Sequence, residues 1–210
     1  MKNQHKNVLR IIPLGGLGEV GKNMMAYEYH REILVVDAGL MFPDNDMLGV
    51  DYIIPDFEYL RQNVEKVKGI IITHGHEDHI GAIQHLLVDV NVPIYATPLT
   101  RGLIEGKLAR NGLIRDTTLI KIDAGETIQI GVFKIETFLP CQEITDDIGL
   151  GITTPAGLVV HTGDYKFDQT PVDNWPTDFA KLAEFSARGV DLLLADSTNS
   201  ERPGWTQSER

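Results

Sequence analysis

The feature that most constrains this chain is a cluster of imidazole and carboxylate side chains directly after an apolar, β-branched run. The run spans residues 68–73, and the cluster that follows is His-Gly-His-Glu-Asp-His at residues 74–79. The run predicts a buried strand, so the cluster lies where that strand ends. Five potential ligands or acids within six positions exceed what folding alone requires. The cluster therefore predicts a metal site.

The spacing within the cluster suits two ions. An extended segment projects His74 and His76 to one side, and Gly75 allows the backbone to turn closely. Asp78 and His79 open a predicted helix that continues through Leu87 and directs a second ligand pair to a neighbouring point. Nitrogen and oxygen donors without a thiolate favour zinc, with manganese as a possible substitute. The alternative is a polar loop whose histidines cap a helix, which would leave the clustering a coincidence.

The cluster resembles the HxHxDH motif of the metallo-β-lactamase superfamily, and in its longer form, residues 73–82, the nuclease branch that carries a β-CASP insertion. Residues 13–24, 37–44 and 161–168 further resemble the ribonuclease J family of that branch along nearly the whole chain. The resemblance implies an α/β (α+β) fold, the αββα sandwich of two β-sheets packed face to face with helices outside. It also implies that residues 1–210 are the N-terminal part of this domain. The β-CASP domain and the remainder of the metallo-β-lactamase domain are then expected after residue 210.

The resemblance assigns roles to individual residues. His74 and His76 are expected to hold one ion and Asp78 and His79 the other, while Asp164 bridges both. Asp37, at the end of a predicted strand, is expected to orient a ligand histidine without binding metal itself. His161, three positions before Asp164, is interpreted as a supporting or structural residue.

Two weaker assignments follow from the same resemblance. Gln142 stands where the family places a metal-binding histidine, which weakens one site unless Glu143, Cys141 or water compensates. A structural calcium ion is implied in the acidic segment 44–51, with the Gly49 carbonyl and Asp51 as candidate ligands. A solvated acidic loop explains that segment at least as well.

Charge and composition limit the function classes. The formal net charge of -11 argues against a protein that coats nucleic acid non-specifically, because such binding needs lysine and arginine. Lys107, Arg110 and Arg115 form a modest basic cluster that could contact RNA, although such runs are more often solvated. The single cysteine excludes an internal disulfide framework. No segment is apolar enough to span a membrane and the N-terminus lacks a signal-peptide core, so a cytoplasmic protein is expected.

These observations lead to a functional hypothesis. A hydroxide held between two divalent ions hydrolyses RNA phosphodiesters. By resemblance, the complete enzyme degrades RNA from a 5′-monophosphorylated end, also cuts internally, and acts in RNA turnover and rRNA processing, as a homo-oligomer or in a ribonuclease J assembly. Two alternatives stay open: a catalytically weak partner subunit, which Gln142 makes credible, and a small-molecule hydrolase of the same fold. The glycine-rich turn at residues 15–21 is either a tight strand connection or a substrate contact.

The hydrophobic patterns predict the remaining elements. Strands are expected over 8–13, 23–29, 33–37, 92–96, 118–122, 127–130, 132–138, 157–160 and 191–198, and helices over 57–66, 98–110 and 177–188. The strands between residues 118 and 138 are assigned to the second sheet. Asp196, at the end of the last strand, is expected to line the active-site cleft.

Overall fold

The computed structural model describes residues 7–140, 146–168, 170–171 and 175–208. Two β-sheets form its centre, and helices cover their outer faces. The eleven strands are β1 (Leu9–Gly15), β2 (Met24–Tyr29), β3 (Glu32–Val36), β4 (Val67–Ile71), β5 (Ile94–Ala96), β6 (Leu119–Lys121), β7 (Thr127–Ile130), β8 (Phe133–Phe138), β9 (Gly149–Thr154), β10 (Gly157–His161) and β11 (Leu192–Leu194) among these residues. The helices are α1 (Glu58–Arg61), α2 (Glu77–Ile80), α3 (Ile83–Asp89), α4 (Pro98–Arg110) and α5 (Phe179–Arg188), with a 3₁₀ turn at Val64–Lys66.

The first sheet has the strand order β1-β2-β3-β4-β5-β6. Strands β1, β2 and β3 are antiparallel neighbours, whereas β3 to β6 run parallel. Parallel neighbours need crossover connections, which are provided here by segments containing α1 to α4. The carboxyl ends of β3 and β4 consequently meet at one edge of the sheet, where the histidine-rich cluster begins.

The second sheet has the order β11-β10-β9-β8-β7. Strands β7 to β10 are antiparallel, and β11 pairs parallel with β10 through the crossover helix α5. Asp178 caps α5 by accepting a hydrogen bond from the Lys181 backbone.

Alternation along the strands separates the core into layers. In β3, Ile33 and Val35 pack in the cluster that includes the helices, whereas Leu34 and Val36 pack against the second sheet. On the far side of the second sheet, Phe185 of α5 packs in a smaller cluster with residues of β8 and β10. The αββα arrangement expected from the sequence is thereby confirmed.

Two strands differ from the sequence analysis. Strand β6 lies in the first sheet rather than the second, because α4 returns the chain so that β6 pairs parallel with β5. Strand β9 was not anticipated, since Gly149 and Gly151 weaken a strand pattern. Side chains at these two glycines would overlap the rings of Phe138 and Phe185, respectively, so the glycines make room for aromatic packing.

The helix expected from Asp78 to Leu87 is divided into α2 and α3. Continuing it would require the Ala82 N–H to bond the Asp78 carbonyl. Instead, Ala82 donates to the Ala38 carbonyl at 2.8 Å, and the Asp78 carbonyl accepts from the Asn23 N–H at 3.0 Å. The segment after β3 thus competes for the helical hydrogen bonds and ties the cluster to the first sheet.

No helix within the described ranges combines the length and apolar character needed to cross a membrane.

The approach of the 37–40 segment to α2 predicts a severe effect of Gly39→Ala. A Cβ atom at Gly39 would overlap the Asp78 carbonyl oxygen and lie 2.9 Å from the Asn23 nitrogen. Because backbone rather than a flexible side chain obstructs it, the free energy of unfolding should fall by about 3 kcal/mol. Urea denaturation of the metal-free chain followed by circular dichroism measures this change.

The matched control is Gly102→Ala in α4, where a Cβ would meet nothing within 4 Å. This variant should gain about 0.5–1 kcal/mol because alanine favours helix more than glycine. Equal effects of the two substitutions would contradict the close approach.

Candidate metal centre

The site begins where β4 ends. Thr73 follows this strand and is fully buried, and His74 is also buried. The Thr73 carbonyl accepts from the Ile148 N–H at 3.0 Å, which joins the end of β4 to the start of β9 in the other sheet. His74 and His76 therefore emerge between the two sheets.

Asp37 connects this turn to α2. Its carboxylate accepts from the Thr73 N–H at 2.8 Å and from the Thr73 hydroxyl at 2.9 Å. Oδ2, the oxygen that accepts from the hydroxyl at 2.9 Å, also lies 2.8 Å from Nδ1 of His79. Since a carboxylate can only accept, Nδ1 of His79 carries the proton, and Nε2 is the nitrogen available to a metal.

Asp37 itself adopts a left-handed backbone conformation, with φ of 61°. Such a conformation is uncommon for a residue with a side chain and is maintained by the surrounding contacts. The expected contact between Asp37 and a histidine of the cluster is present, because the carboxylate lies beside His79. That Asp37 orients this histidine for metal binding stays a prediction.

Asp164 reaches the cluster from the second sheet. It follows β10, after Gly163, which has φ of 62° and whose Cβ position lies 3.2 Å from the Thr73 Cβ. A Cβ at this glycine would be in tight contact with Thr73, so the two turns would have to shift by a few tenths of an ångström. One Asp164 oxygen lies 3.3 Å from Nε2 of His79, and the other lies 3.7 Å from Nε2 of His74.

The five side chains converge on two overlapping groups. His74, His76 and Asp164 form one group, and Asp78, His79 and Asp164 form the other. Within each group, ligand atoms lie within 4.8 Å of one another. Each predicted ligand lies in the group to which the sequence analysis assigned it, with Asp164 common to both, and the metal-binding role of each residue stays a prediction.

Burial and charge give the two buried histidines opposite properties. Burial and the neighbouring His79 lower the pKa of His74 to about 3, so His74 is neutral at physiological pH. Burial also disfavours the charged form of His79, but Asp37 and Asp164 outweigh it and raise the pKa to about 10. Burial raises the pKa of Asp164, yet the contact with His79 prevails and lowers it to about 2.

This donor set fits divalent cations. Imidazole nitrogen and carboxylate oxygen suit zinc and manganese. The negative charge of Asp37 and Asp164 that favours a proton on His79 would equally favour a cation beside it. The residues therefore suit a divalent metal centre.

A cavity of about 670 Å³ opens beside the second group. Its lining includes the glycine-rich turn, residues 194–202, and the side chains of His79, His161 and Asp164. Asp196 lines the cavity, as expected. His161, which also lines it, lies 2.7 Å through Nδ1 from the Tyr27 hydroxyl, and burial lowers the pKa of its imidazole.

The weaker assignments have different outcomes. Gln142, Glu143 and Cys141 lie outside the described residues, so the expected histidine position stays a prediction. Gly49 and Asp51 are exposed. Asp51 belongs to neither of the candidate groups found among the described residues, and calcium binding there also stays a prediction.

The prediction that Lys107 belongs to an exposed basic cluster is wrong. This side chain is buried and donates to both carboxylate oxygens of Glu77, at 2.9 and 2.8 Å. Its ammonium group therefore anchors the first residue of α2 to α4 instead of facing solvent with Arg110 and Arg115.

Family comparison agrees with this geometry. Residues 17–185 match the metallo-beta-lactamase superfamily. This stretch contains both candidate groups and most of each sheet.

The chain belongs to the metallo-beta-lactamase superfamily.

Curated ribonucleases resemble the chain along nearly its whole length. It is 46% identical to ribonuclease J 1 of Streptococcus pyogenes over 97% of this chain and 36% of the relative. It is 48% identical to ribonuclease J of Helicobacter pylori (strain 26695) over 100% of this chain and 30% of the relative. For ribonuclease J2 of Bacillus subtilis the identity is 44%, with coverage of 100% and 38%. The chain thus spans about a third of the length of these relatives.

Solved structures share the fold at low sequence identity. A protein of unknown function from Enterococcus faecalis aligns with a TM-score of 0.71 and 17% identity, over 96% of this chain and 52% of that one. Unliganded yeast PDE1 aligns with a TM-score of 0.60 and 14% identity, over 90% and 74%. Both similarities concern the superfamily fold alone.

Two residues at the centre received no role from the sequence. Thr73 ends the apolar run and resembles an ordinary strand terminus until its hydroxyl is seen beside Asp37. Asn23 follows the glycine-rich turn, and its amide nitrogen lies 3.2 Å from Oδ2 of Asp78. The sequence offered one indication of a role for Asn23, namely that an amide side chain closely follows a glycine-rich turn.

The Glu77–Lys107 pair should stabilise the cluster more than a solvated pair does. Lys107 is buried and binds both carboxylate oxygens, so a double-mutant cycle with Glu77→Gln and Lys107→Met should give a coupling energy of about 1 kcal/mol. The matched control pair is Arg101 and Glu105, also on α4, whose side chains are 39% and 41% exposed. Its coupling should be about 0.3 kcal/mol. A coupling for the Glu77 pair no larger than the control would show that the buried lysine does not anchor α2.

Proposed function

We propose that this chain is the N-terminal part of a metallo-β-lactamase domain in a metal-dependent ribonuclease of the ribonuclease J type. The observation that carries the proposal is the position of Asp164, whose two oxygens face histidines of different groups at 3.3 and 3.7 Å. The identities of 48% and 46% to named ribonucleases J support RNA as the substrate. The complete protein would act in the cytoplasm, as a 5′–3′ exonuclease and endonuclease, in RNA turnover and rRNA processing.

Some residues of the centre would bind the ions, and others would hold the metal-binding side chains in place. His74 and His76 would hold one divalent ion, Asp78 and His79 the other, and Asp164 would contribute one oxygen to each. Zinc is the first choice for both ions and manganese the alternative. Bound there, the ions would supply Lewis acidity, lower the pKa of the attacking water and stabilise charge on the attacked phosphate.

Asp37 and Thr73 would act through His79. The Asp37 carboxylate keeps the His79 proton on Nδ1, which leaves the lone pair of Nε2 directed to the ion. Thr73 donates both its N–H and its hydroxyl to Asp37, so the carboxylate cannot rotate away. This chain of contacts fixes the imidazole before any ligand arrives.

The charge of the cavity explains why a phosphodiester needs the cations. Among the described residues that line the cavity, six carry carboxylates and one, Arg202, carries a guanidinium. A phosphate would be repelled from such a surface. Two divalent ions at the candidate groups would offset four of these negative charges and place positive charge where the phosphate would bind.

The size of the relatives bears on the rest of the protein. Because the chain covers 30% to 38% of the relatives described above, we propose that a β-CASP domain and further metallo-β-lactamase residues follow it. The complete protein would form a homo-oligomer or an assembly with another ribonuclease J. Gln142 favours a second candidate function, a catalytically weak partner subunit within such an assembly.

Replacing Asp164 tests the proposed catalytic centre. In Asp164→Asn one oxygen becomes an NH₂ group, which cannot bind a cation, so the side chain can no longer supply an oxygen to both ions. Cleavage of 5′-monophosphorylated RNA by the complete protein should fall on the order of a thousandfold, or about 4 kcal/mol. The number of zinc or manganese ions per chain, measured by elemental analysis, should fall with it.

The control is Asp116→Asn, an exposed carboxylate that does not line the cavity. It should leave cleavage and metal content unchanged. Full cleavage and two ions in Asp164→Asn would refute the shared-ligand centre. A parent protein with less than one ion per chain and no cleavage would favour the partner subunit instead.

A further inference from the structure

Asn23 lies at the junction between the glycine-rich turn and β2, and its backbone is fixed on both sides. Its N–H donates to the Asp78 carbonyl at 3.0 Å, and its carbonyl accepts from the Gly39 N–H at 3.0 Å. The preceding residue, Lys22, has φ of 53°, which turns the chain into this position. The side chain of Asn23 is therefore delivered to the candidate metal centre by three fixed segments.

The side-chain amide contacts two candidate ligands of the same group. Its nitrogen lies 3.2 Å from Oδ2 of Asp78 and 3.0 Å from Nε2 of His79. The amide can donate one proton to Oδ2 of Asp78, and a carboxylate oxygen keeps a further lone pair with which to bind an ion. Nε2 of His79 has a single lone pair, so an ion bound there would replace its contact with the amide, and the contact with Asp78 is the one that persists.

Gly16 confines this amide on its other side. A Cβ atom at Gly16 would lie 2.5 Å from Oδ1 of Asn23. The missing side chain leaves room for the amide oxygen, so the amide nitrogen is directed to Asp78 and His79. The glycine at position 16 is thus explained by packing against Asn23 rather than by contact with a substrate.

The contacts of Asn23 make the two groups unequal. His74, in the other group, is supported by the Thr73 hydroxyl, 3.0 Å from its Nδ1, and by His76, whose Nδ1 is 3.1 Å from its Nε2. Among the side-chain hydrogen bonds of the described residues, Asn23 contacts only the group of Asp78 and His79.

We propose that Asn23 is a positioning residue that selectively strengthens metal binding by the group of Asp78, His79 and Asp164. Its amide binds one oxygen of Asp78 and keeps the carboxylate beside His79. The Asp78 side chain therefore loses less conformational freedom when an ion binds. The partners that orient metal ligands typically change metal affinity 10- to 100-fold when they are removed. This inference rests on the metal-binding part of the proposed function and is independent of RNA as the substrate.

The test measures cobalt binding to the complete protein by isothermal titration calorimetry in two backgrounds. His76→Ala removes a ligand from one group and leaves Asp78, His79 and Asp164 intact. Asp78→Ala removes a ligand from the other group and leaves His74, His76 and Asp164 intact. Asn23→Ala should weaken the remaining binding about 10- to 100-fold in the first background and less than about 2-fold in the second.

Two further variants separate positioning from a general structural effect. Asn23→Leu approximately preserves the side-chain volume but removes the amide, and should reproduce the selective loss. Asn91→Ala removes an exposed amide that donates to the Asp116 carbonyl at 2.9 Å, and should change cobalt affinity in neither background. Thermal unfolding of each metal-free variant, followed by circular dichroism, shows whether the fold is retained.

The possible results distinguish this inference from the proposed function. Equal weakening in both backgrounds, or no weakening by Asn23→Ala in the first, would overturn the positioning role while leaving the metal centre intact. Absence of cobalt binding in the complete parent protein would overturn the metal centre and the role of Asn23 together.

Discussion

The candidate centre depends on the contacts of one buried carboxylate, that of Asp37. It lies between the ends of two parallel strands and binds Thr73 and His79, which come from the turn after β4 and from α2. A buried carboxylate is costly unless it is paired, and His79 and Thr73 provide that pairing here. Burial raises the Asp37 pKa, but His79 prevails and lowers it, so the carboxylate remains ionised. The same contacts that compensate its burial also direct Nε2 of His79 to the ligand groups.

The two sheets contribute different parts of this centre, and close backbone contacts hold them in register. The first sheet supplies Asp37 and the histidine-rich turn, whereas the second supplies Asp164. Gly39 and Gly163 allow the connecting turns to approach where a Cβ would obstruct them. Helix α2 is short because its carbonyl groups bond the neighbouring segments instead of continuing a helix. The hydrogen bonds that shorten α2 are therefore the same ones that bring candidate ligands from three segments together.

Local sequence predicted most of the fold because strand and helix patterns depend on near neighbours. The αββα class, the bounds of α4 and the grouping of the histidines with Asp78 required only periodicity, spacing and family resemblance. Partners distant in sequence were harder to predict. Strand β6 was assigned to the wrong sheet because its pattern does not say which neighbour it joins. Strand β9 was missed because its glycines accommodate aromatic rings from β8 and α5. Lys107 and Asn23 acquire their roles only through contacts with residues 30 or more positions away.

The central claim is that Asp164 links two metal sites built from both sheets. Anomalous diffraction from crystals of the chain grown with zinc or manganese tests it most directly. Two peaks are predicted, one among His74, His76 and Asp164 and one among Asp78, His79 and Asp164, each about 2.0–2.2 Å from its ligand atoms. A map with no peak within that distance of Asp164, or with these side chains directed to separate places, would contradict the account.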